Sequence, residues 1–276
     1  MRHASRCGVY TWTARIVAVG YLFRRMHGAH HGYVNIHGID VTLETHGLFR
    51  FTPDEPWLPR HKYQHYYTFL LYALAMLQWA TIKDFKWFFG EAHIGNQKNI
   101  KHPLKEYIIL FIGKSVFYGL TLVLPILFLS APWYTILGAW VFMHVLPGLT
   151  FALIFQVTHV YDGTTYPIPD DEGNIDNNYA LHVLETTADF SRQSRLGSWL
   201  MGGINIHVIH HILPQVCHVH YPALTEILKE TCDDHGIEYQ ENRTFWQALK
   251  KHYQILKHLS APEATVPRVG KSASLV

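Results

Sequence analysis

Apolar positions run along this chain in three long blocks. Tyr63–Ile82 holds 20 residues without a formal charge, Tyr107–Leu129 holds 23 interrupted only by Lys114, and Trp133–Thr158 holds 26 with none. At a rise of ~1.5 Å per residue, each can reach across a hydrocarbon layer ~30 Å thick. Only Ser130, Ala131 and Pro132 separate the second block from the third, so the pattern predicts a tight transmembrane helical hairpin. Lys114 stands near enough to one end to extend its ammonium toward the lipid headgroups. The first block carries Tyr63, Tyr66, Tyr67, Tyr72 and Trp79, the aromatic load of a segment lying in the membrane interface.

Elsewhere the blocks are shorter and mixed. Val9–Phe23 is apolar but interrupted by Arg15, and reads as an interfacial helix rather than a span or a signal peptide. Phe51–His61 contains Pro53, Pro56 and Pro59, which exclude a regular helix. Tyr161–Asn178, rich in Pro, Gly, Asp and Asn, reads as a loop. Leu181–Arg192 and Gly197–Leu213 are predicted as helices against the membrane face. Pro222–Cys232 and Thr244–Leu259 have helical spacing with mixed charge and are predicted as surface helices. Ala261–Val276 is small, polar and expected to be disordered. The fold class is therefore all-α integral membrane: a transmembrane hairpin, interfacial helices and a cytosolic helical cap. No linker separates two cores, so 1–260 reads as one domain and 261–276 as a tail.

Composition agrees. Charged residues make up 16 % of the chain and apolar residues 49 %, against about 25 % charged in an ordinary soluble domain. A net charge of +2 with no basic cluster argues against nucleic acid. Cys7, Cys217 and Cys232 form no spacing pattern, which fits a reducing compartment.

Histidine changes the picture, with 21 residues. His27, His30 and His31 share the spacing i, i+3, i+4 with His207, His210 and His211, so on a helix each triplet faces one volume. The two triplets read as halves of one metal site. Ligating nitrogens lie about 2 Å from a metal, so both halves must end on one side of the membrane. Two spans between them allow this and three do not, which again makes Tyr63–Ile82 the interfacial block. Lys83, Lys86, Lys98, Lys101 and Lys105 lie between the first two blocks, and the positive-inside rule makes that side cytosolic. Seven or eight imidazoles exceed the four ligands of one zinc and suit two iron or manganese ions. The Glu-x-x-His pairs of soluble di-iron bundles do not occur. A histidine-rich di-iron centre at a membrane surface points to O2 activation against an unactivated C–H bond, with a lipid acyl chain as the substrate at hand.

The stretches His27-Gly-Ala-His-His-Gly-Tyr-Val-Asn-Ile-His-Gly-Ile-Asp and Gly202-Gly-Ile-Asn-Ile-His-Val-Ile-His-His-Ile-Leu-Pro resemble the second and third histidine boxes of the membrane fatty acid desaturases. Gln156-Val-Thr-His159 and Thr186-Thr-Ala-Asp-Phe190 continue the likeness, which runs over roughly residues 20 to 260. It is nearest to the front-end-like acyl desaturases, whose third box usually begins with Gln where this chain has His207. The resemblance implies His27, His30, His31, His207, His210 and His211 as iron ligands. It also implies one more histidine between the last span and the third box, with His159 first and His182 second. Asn35 and Asp40 match polar positions that orient ligands. It implies two iron ions, O2 as co-substrate and a carbon–carbon double bond as product, made in an acyl-CoA or acyl-lipid. The implied membrane is the endoplasmic reticulum in a eukaryote or the inner membrane in a bacterium. His102-Pro103 is followed by Leu, not by the residues of a cytochrome b5 haem motif, so electrons would come from a separate cytochrome b5 or ferredoxin.

The family also has a first box, His-x-x-x-His or longer, preceded by two spans. The nearest relic is His3-Ala-Ser-Arg-Cys7, with Cys in place of the second His, so the chain is expected to lack the family's N-terminal part. Alternative readings are an acyl-chain hydroxylase on the same scaffold, or an inactive fragment that binds lipid or a partner protein. His144 is expected to hydrogen-bond a neighbouring helix. His37, His218 and His220 read as groups flanking the boxes. His61, His65, His93, His102, His235, His252 and His258 belong to no constellation.

Overall fold

Three helix starts are set by capping side chains, Asn178, Ser194 and Thr244, each accepting a backbone N–H. The computed structural model describes residues 20–90, 100–175 and 177–265. In chain order the helices begin with α1 (Gly20–Gly32), α2 (Gln64–Ala73) and α3 (Ala75–Gln78), followed by a π-helical turn over Trp79–Lys83 and α4 (Asp84–Phe89). Next come α5 (Leu104–Tyr118), a second π-helical turn over Gly119–Val123, α6 (Leu124–Phe128) and α7 (Trp133–His159). The remainder is α8 (Tyr179–Thr186), β1 (Asp189–Phe190), α9 (Arg195–Leu200), α10 (His207–Ile212), α11 (Tyr221–Asp234), β2 (Glu241–Asn242) and α12 (Phe245–His258). Among the described residues two stretches are long and apolar enough to cross a membrane, Leu104–Phe128 and Trp133–His159. The Tyr63–Ile82 block is helical as well, but a turn at Leu74 interrupts it. The expectations for residues 1–19, including the His3/Cys7 relic and most of Val9–Phe23, lie outside the described residues, as do those for 266–276.

Three expectations about secondary structure need correction. The all-α class is incomplete: β1 pairs in parallel with β2, Asp189 opposite Glu241 and Phe190 opposite Asn242. The helix expected over Leu181–Arg192 stops at Thr186, because β-branched Thr187 turns extended at φ −138°, ψ 137°. The helix expected over Gly197–Leu213 is two short helices, since Gly202 and Gly203 take φ of 60° and 79°, a left-handed conformation that glycine adopts without strain.

The described residues divide into two compact units, His31–Tyr67 with 153–265, and 20–30 with Thr68–Ala152. In the first unit, α10 is apolar on the faces that do not carry histidine. Val208 packs with Val183, Leu184 and Cys232, while Ile209 packs with Ile206 and Tyr221. Burying each such side chain contributes about 1.5–3 kcal/mol. The expected surface helix α12 is instead half core, with Ala248, His252, Ile255 and Leu256 buried. Its start is held by a capping box in which Thr244 Oγ1 accepts from Gln247 N and Gln247 Oε1 accepts from Thr244 N. Its last turn is held by Arg50, whose guanidinium donates to Ala261 O at 2.8 Å and to Pro53 O at 2.7 Å. Gln64 completes this knot, donating to Leu256 O at 2.9 Å and accepting from Arg50 N at 2.7 Å.

Nearby Glu55 accepts from Phe51 N and from Thr45 Oγ1. Burial nevertheless pushes its carboxyl up to about 6. A carboxyl raised in the folded state supports folding fully below its unfolded value, and that support is lost as pH rises through about 6. Glu55→Gln should therefore gain stability relative to the unaltered chain by up to about 2 kcal/mol between about pH 4 and pH 7.5, less whatever solvent screens. Thermal unfolding in detergent at both pH values measures this; a pH-independent difference would refute it.

In the second unit Lys114 does not extend toward headgroups. It is 4 % exposed and its ammonium meets Asp84 Oδ2 at 2.8 Å and Ala80 O at 2.6 Å. Trp79 Nε1 donates to Asp84 Oδ1 at 3.0 Å, and Tyr118 OH donates to Ala80 O at 2.7 Å. The π-helical turn at Trp79–Lys83 shifts the backbone ladder, and the Ala80 carbonyl finds its donors in these side chains. α5 and α7 meet through Phe117, Trp140 and Ala80, with Trp140 Nε1 donating to Thr121 Oγ1 at 3.0 Å. His144 bonds Trp140 O of its own helix at 2.7 Å rather than a neighbouring helix. Gly148 allows α7 to approach Ala73, where an added Cβ would lie 2.6 Å from the carbonyl oxygen.

Candidate metal centre

α1 carries the first triplet. His27, His30 and His31 stand on one face of it by helical spacing. The ring of His27 stacks on Phe23 at 5.3 Å. Burial, and then neighbouring His30, pushes His27 down to about 3, so it is neutral at physiological pH. Neutral imidazole is the ligating form.

The first unit assembles five of the expected ligands. His31 stacks on His211 with ring centroids 4.2 Å apart and meets the edge of His210 at 4.6 Å. His211 in turn lies 4.8 Å from His159 and 4.7 Å from His207. All but His210 are buried. The backbone carbonyl of His211 accepts from Tyr179 OH at 2.6 Å, and His210 Nδ1 meets Tyr221 OH at 3.3 Å.

One pair tests whether a cation fits. His159 Nδ1 lies 3.3 Å from Thr186 O and His207 Nδ1 lies 2.8 Å from Ile204 O. A carbonyl oxygen can only accept, so both Nδ1 atoms carry protons and both Nε2 atoms present lone pairs. Those two Nε2 atoms are 2.9 Å apart. Lone pairs this close repel unless a cation is shared with them, either a proton or a metal ion. An all-imidazole donor set with tautomers fixed by carbonyls is the pattern of metal-binding histidine, so the residues fit the group.

His182 is buried on α8, and its Nε2 lies 2.8 Å from Val34 O. Donation there leaves the Nδ1 lone pair, and that buried atom has no hydrogen-bond partner among the described residues. Burial lowers the His182 pKa, outweighing the carbonyl of Val34 and the charge of Asp40. Asn35, at φ 56°, uses its amide on the backbone of this region. Its Nδ2 donates to His159 O at 2.9 Å and to Thr164 Oγ1 at 3.0 Å. Asp40 Oδ2 accepts from Asn35 N at 3.0 Å. These two residues thus steady the backbone that carries His159.

Two residues here have no role assigned from sequence. Asp189, fully buried, accepts from Val208 N at 2.9 Å through Oδ1 and from Tyr239 OH at 2.6 Å through Oδ2. Its sequence signal is its place in the Thr186–Phe190 stretch that continues the family likeness, which gives it no role by itself. His252, also fully buried, lies 2.5 Å from Val160 O through Nδ1, beside His159, and burial pushes it down to about 4.

Comparison with known proteins decides the family. The family model described as fatty acid desaturase matches residues 4–243. The chain belongs to the fatty acid desaturase family. It is 32 % identical over 249 residues to an acyl-lipid (8-3)-desaturase of Physcomitrium patens, a match covering 89 % of this chain and 52 % of that protein. It is 29 % identical over 241 residues to an sn-1 linoleoyl-lipid 6-desaturase of Arthrospira platensis, covering 87 % and 65 %. A Synechocystis sn-1 linoleoyl-lipid 6-desaturase is 32 % identical over 248 residues, covering 86 % and 66 %. The chain therefore spans about half to two thirds of the length of these relatives. No solved structure matches. The desaturase family is membrane-bound, acts on lipid acyl chains and is generally di-iron dependent, in keeping with the two long apolar helices and the histidine clusters of this chain.

Proposed function

We propose that this chain carries out fatty acyl desaturation in a membrane. Two hydrogens leave adjacent carbons of a lipid acyl chain, O2 takes them with two supplied electrons and two protons, and a carbon–carbon double bond and two waters result. The observation that carries the reading is the facing Nε2 pair of His159 and His207 within a cluster of imidazoles. Iron held by His27, His30, His31, His159, His182, His207, His210 and His211 would supply the O2 chemistry that no side chain can perform. The chain's own part is to keep those imidazoles neutral and directed. Thr186 O and Ile204 O fix the tautomers of His159 and His207, Val34 O fixes that of His182, and Asn35 with Asp40 holds the His159 backbone.

The same proposal covers the setting. Leu104–Phe128 and Trp133–His159 form a transmembrane hairpin turned at 129–132, with Tyr63–Ile82 in the interface. The lysines between Lys83 and Lys105 favour a cytosolic site, in the endoplasmic reticulum of a eukaryote or the inner membrane of a bacterium. Residues of both units fall in the family match, which supports treating 1–260 as one desaturase domain. Electrons come from a separate donor of the cytochrome b5 or ferredoxin kind. Acyl-lipids are the favoured substrate class, since the relatives above are named for them.

Expression in a host of defined lipid composition tests this. Acyl chains of unchanged carbon number that have lost two hydrogens support it, whereas a gain of one oxygen makes the protein a hydroxylase. Unaltered lipids, together with purified protein holding less than about one iron per chain, overturn it.

A further inference from the structure

α10 packs three candidate ligands into six residues, yet its N-terminus has no local cap. The residue before it, Ile206, offers no acceptor side chain, although the first N–H groups of a helix need one. Asp189 supplies it from β1, bonding Val208 N at 2.9 Å and also the His207 N–H.

The segment that delivers Asp189 also holds the other half of the facing pair. Thr186 O meets His159 Nδ1, and Ala188 N donates to Thr158 O at 2.9 Å. Residues 186–189 thus touch both His159 and the start of α10, whose Nε2 atoms are 2.9 Å apart. This segment is fixed in turn. Asp189 N donates to Gln240 O at 3.0 Å and Ser191 N to Asn242 O at 3.0 Å. The free edge of the carboxylate is taken by Tyr239 OH at 2.6 Å. Lys229 covers the Tyr239 ring at 5.5 Å and bonds Glu241 Oε2 at 2.7 Å, so the lock reaches the protein surface.

We propose that Asp189, locked by Tyr239, is a positioning residue that sets the rotation of α10 and hence the spacing of His159 and His207. A buried carboxylate is costly to desolvate, and a local Ser or Asp at the position of Ile206 would cap the helix without it. What only Asp189 does is cap α10 from the same short segment that orients His159. Turning α10 by some 15° would move its imidazoles by more than the ~0.5 Å that a metal site tolerates.

The proposal rests on the metal-centre reading, and the experiment separates the two. Co(II) is titrated into metal-stripped full chain in detergent, following its visible ligand-field absorption. Tyr239→Phe, which removes one hydroxyl, should weaken Co(II) binding about 10- to 100-fold and shift the band. In the metal-free protein it should speed amide hydrogen exchange at 207–212. Asp189→Asn, which keeps an acceptor for Val208 N, should lose less than Asp189→Ala. Trp57→Phe, which removes the bond from Trp57 Nε1 to Ser260 O, controls for general destabilisation and should leave the band in place. Unaltered chain that takes up no Co(II) overturns the metal-centre reading and the positioning role with it. Unaltered chain that binds Co(II), with Tyr239→Phe matching it in affinity, band and exchange, overturns the positioning role alone.

Discussion

Replacing His211 with alanine is expected to lower iron affinity by more than about 100-fold, beyond what loss of an outer partner does. His211 is the hub of the described cluster, with His31, His159 and His207 all within 5 Å ring to ring. Its removal leaves the outer rings without their shared neighbour, and His31 loses the ring on which it stacks. Metal-dependent stabilisation reads this directly. An intact site gains about 2.7 kcal/mol at a hundredfold excess of metal over its Kd, and the variant should show no rise in Tm with added Fe(II). Desaturation should vanish with it. A His211→Ala chain that retains the metal-dependent rise in Tm would place the ligands elsewhere.

The second large effect lies away from the histidines. Lys114→Met should destabilise the chain by about 3–5 kcal/mol, because it strands the Asp84 carboxylate where water does not reach. Lys114 and Asp84 are 4 % and 1 % exposed, so solvent cannot make good the loss. The double variant Lys114→Met with Asp84→Leu should recover most of the stability, since removing both charges also removes both desolvation costs. Tyr118 OH would remain on the Ala80 carbonyl, while Trp79 Nε1 would lose its acceptor, so recovery should stop short of complete. Unfolding of the unaltered chain and both variants, measured in the same detergent, checks this. Equal stability of the single variant and the unaltered chain would mean that the pair contributes nothing.

What could be read in the sequence depended on the distance between partners. The apolar blocks at Tyr107–Leu129 and Trp133–Thr158 predicted α5 to α7 closely, because length and composition alone decide such helices. The triplet spacing marked His31, His207, His210 and His211, and His159 followed from the family resemblance; the structure joins all five. Contacts between distant residues were not legible. Nothing local marks Lys114 as the partner of Asp84, so an ion pair read as a lysine reaching for headgroups. Asp189 and Tyr239 are separated by 50 residues, and two paired residues are too few to leave the alternating pattern of a strand. His252 looked like an ordinary member of a surface helix, because its partner, the Val160 carbonyl, lies 92 residues away. Hydrophobic spacing located the elements; the polar bonds that steady the ligands lay beyond it.

The parallel pairing of β1 with β2 has a consequence for biosynthesis. The cap of α10 depends on Gln240, Tyr239 and Asn242, all of which leave the ribosome after the last candidate ligand. A nascent chain that has just exposed His211 therefore holds its histidines without the frame that spaces them. On the proposed metal-centre reading, productive metal loading would wait for roughly thirty further residues, a few seconds at ordinary elongation rates. Maturation of the proposed centre would thus be ordered, with the peptide ahead of the metal.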